Sequence, residues 1–176
     1  SASDSVLCLD ARFGNTAAAF AETGVSVTVF HPCPVTVRLI RHRLASMNIQ
    51  NVEVVHVPPE ATRLPFQDNS FDAFIYHDVV ATLLADQTAA ASPFASLTPT
   101  LFRETYRVLK SGGFAHFGAK NPFGYTRLLR RLQNPFNSLA KASQLSSMQR
   151  AQSLIRRAGF NHLRAYPYIV ENDSVY

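Results

Sequence analysis

Short strand-like and helix-like segments alternate along the whole of this chain, and that alternation restricts its fold more than any single residue does. Ser5–Leu9, Val25–Phe30, Val52–Val57, Phe71–Tyr76, Phe114–Gly118 and His162–Val170 are short runs dominated by apolar and β-branched residues, the composition of strands. Helical signatures lie between them. An alanine-rich stretch covers Thr16–Glu22. Pro34 opens a helix to Met47, with Val37, Ile40, Arg41 and Leu44 at helical spacing. A further helix starts at Thr98 or Pro99 and ends near Lys110, where Ser111-Gly112-Gly113 stops it. Ser143–Ala158 forms another, ended by Gly159, and a short basic helix is expected at Tyr125–Leu132. The pattern predicts an α/β fold: a doubly wound, mainly parallel sheet of about six strands with helices on both faces.

The chain has 176 residues, 47% of them hydrophobic, which suits one domain with a substantial core. It begins almost on its first strand and stops soon after its sixth. The expectation is a single domain, 1–176, cut from a longer polypeptide, with a seventh strand missing or barely begun at Ser174–Tyr176. No apolar run reaches the roughly 18 residues of a membrane helix. The opening Ser-Ala-Ser-Asp-Ser has no basic start or apolar stretch of a signal peptide. Cys8 and Cys33 form neither a disulfide framework nor a CxxC, so a reducing, cytoplasmic setting is expected. Six histidines (His31, His42, His56, His77, His116 and His162) show no metal-ligand spacing, and no metal is expected.

Charge is unevenly distributed within the net +5. From Arg103 to Arg164 there are twelve Lys/Arg and a single acid, Glu104, whereas residues 1–102 hold five Arg and nine acids. That asymmetry points either to an anionic partner at the basic C-terminal half or to solvated helix faces.

The first strand leads into a loop with a chemistry of its own. Val6-Leu-Cys-Leu-Asp-Ala-Arg-Phe-Gly14 is a strand, a tight turn and the start of a helix. Such a unit brings backbone N–H groups and a helix dipole up to a ligand. Asp10, Arg12 and Phe13 occupy loop positions that are ordinarily small.

Three further segments carry a resemblance. Leu64-Pro-Phe-Gln-Asp-Asn-Ser-Phe-Asp72, Glu104-Thr-Tyr-Arg-Val-Leu-Lys-Ser-Gly-Gly113 and Ala158-Gly-Phe160 resemble, in that order along the chain, segments of the class I S-adenosylmethionine-dependent methyltransferases of small-molecule type. The likeness covers roughly residues 5 to 170. It implies a Rossmann-like methyltransferase fold, S-adenosylmethionine as cofactor and methyl transfer as the reaction. On the family's first motif, its acid falls on Cys8 and its three glycines fall on Asp10, Arg12 and Gly14. The acid that the family places after the second strand, to hold both ribose hydroxyls, is replaced by His31. A neutral imidazole offers one acceptor and an imidazolium none. Loss of one charge-assisted hydrogen bond costs about 1.5–3 kcal/mol. Glu60, followed by Ala61, stands where the family has an acid for the adenine amino group; the other reading is a surface-loop carboxylate.

The resemblance thus implies a cofactor site of Asp10, Gly14, His31, Glu60, Ala61 and His77. His77, after the fourth strand, is also the candidate general base, the alternative being a ring packed against a neighbouring helix. Asp78 either joins it or caps the next helix. Asn121-Pro122 and Tyr125 are candidates for lining the acceptor pocket. Two functions follow: methyl transfer to a small-molecule or glycan-like acceptor, or a non-catalytic methyltransferase-like scaffold or accessory domain that has lost the cofactor.

Overall fold

The computed structural model describes residues 4–9, 13–76, 98–118, 149 and 151–164. Among them one sheet of five strands forms: β1 (Ser5–Leu9), β2 (Ser26–His31), β3 (Val52–His56), β4 (Phe71–Tyr76) and β5 (Leu109–Phe117). Every pairing is parallel, in the order β3-β2-β1-β4-β5. The helices are α1 (Asn15–Glu22), α2 (Pro34–Ser46), α3 (Thr98–Val108) and α4 (151–157). The chain moves outward from β1 to β3 and then returns past β1 to β4. Open α/β sheets bind ligands beyond the carboxyl ends of their strands at such a reversal.

Alternation along each strand sorts the core into two layers. Val6, Cys8, Val27, Val29, Ala73 and Ile75 meet Ala17, Ala18 and Ala21 of α1 and Val37, Ile40 and Leu44 of α2. Leu7, Leu9, Phe30, Phe74 and Tyr76 point the other way, toward Leu101, Phe102, Ala151 and Ile155 of α3 and α4. The sheet is therefore covered on both faces, the doubly wound arrangement expected from the alternating pattern. Aromatic edges knit the second layer: Phe102 meets Phe117 at 5.1 Å between centroids, and Phe66 meets Phe71 at 5.4 Å.

The structure departs from the sequence reading around α3. The helix stops at Val108, two residues before Lys110, because Leu109 enters the ladder opposite Phe71. Ser111-Gly112-Gly113 is no helix stop; it lies within β5, where pairing passes from Phe71↔Leu109 to Ala73↔Phe114. Gly112 has φ 83°, and a Cβ on Gly113 would lie 2.9 Å from the Asp72 carbonyl oxygen. Of the expected sixth strand, 162–164 have no regular structure and 165–170 lie outside the described residues, as does the basic helix expected at Tyr125–Leu132. Among the described residues no helix is long and apolar enough to cross a membrane.

Candidate functional site

The candidate site lies at the carboxyl ends of β1, β2 and β3. Asp10 and Arg12, just beyond β1, lie outside the described residues. Phe13 and Gly14 follow with φ 52° and 91°, two consecutive left-handed residues that swing the chain into α1. That conformation is natural for glycine and strained for phenylalanine. Gly14 caps α1 with no side chain. A Cβ there would come within 3.2 Å of Ile40 Cγ2, so this glycine also sets how the turn packs on α2.

His31 was expected just past the second strand; instead β2 includes it. Its carbonyl accepts a hydrogen bond from the Val57 N–H at 3.2 Å, which carries the β2–β3 ladder one step further. The ring is buried, 5% exposed, and its Nδ1 accepts the Cys33 N–H at 3.0 Å. An accepting Nδ1 carries no proton, so the neutral ring holds its proton on Nε2 and can only donate from there. His56 Nε2 donates to the Pro32 carbonyl at 3.0 Å, tying β3 to the residue after His31. Cys33 precedes α2, and its thiol lies below its ordinary pKa because the Thr36 N–H and then the Thr36 hydroxyl approach it, more loosely than in a regular cap.

After β3 the Ala61 N–H donates to the Pro58 carbonyl at 3.0 Å, closing a turn whose tip presents Glu60 to solvent. Ala61 is half-buried against the aromatic layer. Gly14, His31, Glu60 and Ala61 thus stand at the same end of the sheet. His77, Asp78, Asn121, Pro122 and Tyr125 lie outside the described residues; His77 follows Tyr76, a buried ring paired in register with Leu9. Among the described residues no cluster of three or more His, Cys, Asp or Glu is arranged for a metal ion.

The Leu64–Asp72 and Glu104–Gly113 segments clasp each other, a contact that neither motif shows in sequence. Glu104, 6% exposed, accepts the Leu64 N–H at 2.9 Å. Arg107, one turn on, reaches Glu104 Oε2 at 2.6 Å, the Phe66 carbonyl at 2.9 Å, the Leu64 carbonyl at 3.1 Å and the Asp68 carboxylate. Burial pushes the Glu104 carboxyl up, but hydrogen bonds from Arg107 and Leu64 outweigh it and hold the pKa below its ordinary value. Asp72 Oδ2 accepts from Lys110 Nζ at 2.7 Å and from the Ser5 hydroxyl and N–H at 2.8 and 2.9 Å. The Lys110 ammonium, then the Ser5 N–H, lowers the Asp72 pKa to about 2. The usable signal was opposite charge at i, i+3 in Glu104 and Arg107.

The profile of a family described as "Methyltransferase domain" matches residues 8–117. Among solved structures, a protein of Methanococcus maripaludis assigned as an S-adenosyl-L-methionine-dependent methyltransferase superposes with a TM-score of 0.63 at 18% identity, over 90% of this chain and 70% of that one. The PH0226 protein of Pyrococcus horikoshii OT3 gives 0.52 at 26% identity, over 74% and 54%. The [4+2]-cyclase SpnF gives 0.52 at 21%, over 66% and 39%, so the chain spans only part of these proteins' length. No curated protein sequence matches significantly. With the profile covering well over half of the chain, and the sheet order and motif contacts in agreement, the chain belongs to the class I S-adenosylmethionine-dependent methyltransferase family.

Proposed function

We propose that this domain transfers a methyl group from S-adenosylmethionine to a small-molecule or glycan-like acceptor, and that it holds the cofactor weakly. The observation that carries the proposal is the common placement of the Gly14 turn, His31 and Glu60 beyond the strand ends. The described residues fit the cofactor at one end only. Glu60 is an exposed carboxylate suited to an exocyclic amine. His31 does not fit a ribose diol as a carboxylate does, because its Nδ1 is engaged and its Nε2 donates. The α1 N-terminus and Gly14 would face the methionine part. When bound, the cofactor supplies an electrophilic sulfonium methyl group; the chain's own task is to orient the acceptor and exclude water.

His31 also favours a second reading, a non-catalytic scaffold or accessory domain. SpnF illustrates that the fold serves a [4+2]-cyclase as well, so family membership alone does not fix the reaction. Calorimetric titration with S-adenosylmethionine and S-adenosylhomocysteine separates the two. Saturable binding of either, abolished by Glu60→Ala, supports the methyltransferase. No heat at millimolar ligand refutes it in favour of the scaffold.

A further inference from the structure

The basic C-terminal half contains one acid between Arg103 and Arg164, and the structure buries it. Glu104 lies inside the clasp with Arg107 and Leu64, so the surface contributed by that stretch has no carboxylate to offset its cations. Arg103 is exposed on α3 and forms no ion pair among the described residues. Arg156, Arg157 and Arg164, at and beyond the end of α4, are likewise exposed and unpaired there. Of these cations only Arg103 lines the groove between α3 and the 62–69 loop, where it is joined by Arg63 and Arg107 and by the carboxylates of Glu104 and Asp68, the latter shared by Arg63 and Arg107. Helix dipoles account for cations in a last turn, such as Arg107, but not for Arg103, Arg63 or Arg164.

An aromatic ring lies among these charges. Tyr106 is 50% exposed and borders the groove with Arg63 and Arg103. It is held from below: its ring meets Phe160 edge-on at 5.3 Å, and a Cβ added to Gly159 would lie within 2.9–3.1 Å of its ring atoms. The glycine therefore lets the ring rest on backbone. A ring fixed on one side and open on the other is a stacking platform with little left to order on binding.

We propose that the groove between α3 and the 62–69 loop is a docking surface for single-stranded nucleic acid, with Tyr106 stacking on a base and Arg63 and Arg103 contacting phosphates. Flexible single strands are held by this combination of an aromatic platform and a cationic track. A lipid surface fits less well, because among the described residues of α3, α4 and the stretch after α4 the only exposed large hydrophobic residue apart from Tyr106 is Leu163. The groove sits by the C-terminal half of α3, near the start of β5, and so at the opposite end of the sheet from the candidate cofactor crevice. The inference does not depend on methyl transfer.

The test is fluorescence anisotropy of a labelled 12-nucleotide RNA and its DNA counterpart, titrated with the whole chain at 50 and 200 mM salt. Binding is expected with a steep salt dependence. Arg103→Gln should weaken it and flatten the salt slope by about 0.7, the loss of one phosphate contact to a single strand. Tyr106→Leu, which keeps an apolar contact with Phe160, should weaken it about tenfold at either salt concentration. Absence of binding at 50 mM salt overturns the proposal. So does preferential capture by anionic phospholipid vesicles, and so does equal affinity of the Tyr106→Leu variant, which would leave charge alone as the attraction.

Discussion

Replacing Arg107 by alanine should cost this domain a large share of its stability. The substitution removes the donors that meet Glu104 at 2.6–3.1 Å and those that reach the Leu64 and Phe66 carbonyls. Among the described residues Glu104 then keeps only the Leu64 N–H, at 2.9 Å, as a partner. The two side chains are 16% and 8% exposed, so water replaces little of what is lost. Orphaning one member of a buried pair costs about 3–5 kcal/mol, against about 5–15 kcal/mol for a whole domain. With a urea slope of about 2 kcal/mol/M, the unfolding midpoint should fall by about 1.5–2.5 M. Far-ultraviolet circular dichroism is the probe, since the chain has no tryptophan. Glu104→Gln keeps an oxygen for Leu64 and should cost about 1.5–3 kcal/mol. The double variant leaves neither charge orphaned and should lose less than the sum. A midpoint shift below about 0.5 M for Arg107→Ala, or strict additivity, would refute the clasp.

Four other substitutions probe the rest of the molecule. His31→Asp restores an acceptor at the end of β2 and should tighten S-adenosylmethionine binding about ten- to hundredfold by calorimetry, the effect of one charge-assisted bond; an unchanged affinity would mean that the ribose does not lie there. Asp72 has a folded pKa of about 2, below its unfolded value, so its contribution is complete above the unfolded pKa and is lost as pH falls through about 2. Asp72→Asn should therefore flatten the acid-unfolding profile between those values, and a profile parallel to the parent's would count against the Lys110 and Ser5 bonds. Gly113→Ala forces a Cβ to 2.9 Å from the Asp72 carbonyl, with backbone on both sides, and should cost about 1–3 kcal/mol in urea unfolding. Gly24→Ala meets nothing within 4 Å and carries only the strain of φ 85°, about 1 kcal/mol; equal losses would show that the contact at Gly113 is slack.

Local pattern was a good guide wherever local forces decide the structure. Ser5–Leu9 and Phe71–Tyr76 were legible to the residue because each is a short apolar run with polar or turn-forming neighbours, and Pro34 marked the start of α2. It was a poor guide where distant pairing overrides it. Gly112-Gly113 has the signature of a helix stop, yet Leu109 gains a ladder partner in Phe71 and the strand begins before the glycines. His31 lies beyond the last β-branched residues, yet Val57 extends the ladder to its carbonyl. The site was half legible. Residue types announced the missing carboxylate at the end of β2, but nothing in the order of residues told that Cys33 would occupy Nδ1 and fix the tautomer.

The two best-matching motifs and the chemistry occupy opposite ends of the sheet, and this explains why the chain declares its family clearly and its reaction faintly. Glu104, Arg107 and Lys110 act where β4 and β5 begin: Arg107 and Val108 carbonyls accept the Asn69 and Ser70 N–H groups, and Lys110 meets Asp72 and through it Ser5. A cofactor would lie where β1, β2 and β3 end. Changes at that far end, such as His31 for a carboxylate, leave the clasp intact because no bond joins the two sets among the described residues. Fold and catalysis are then separately adjustable: the clasp holds the sheet together whether or not the crevice is loaded. Arg107→Ala should accordingly destabilise the domain without regard to ligand, whereas His31→Asp should change ligand affinity, with a separate loss of stability from burying a carboxylate where the ring now accepts the Cys33 N–H.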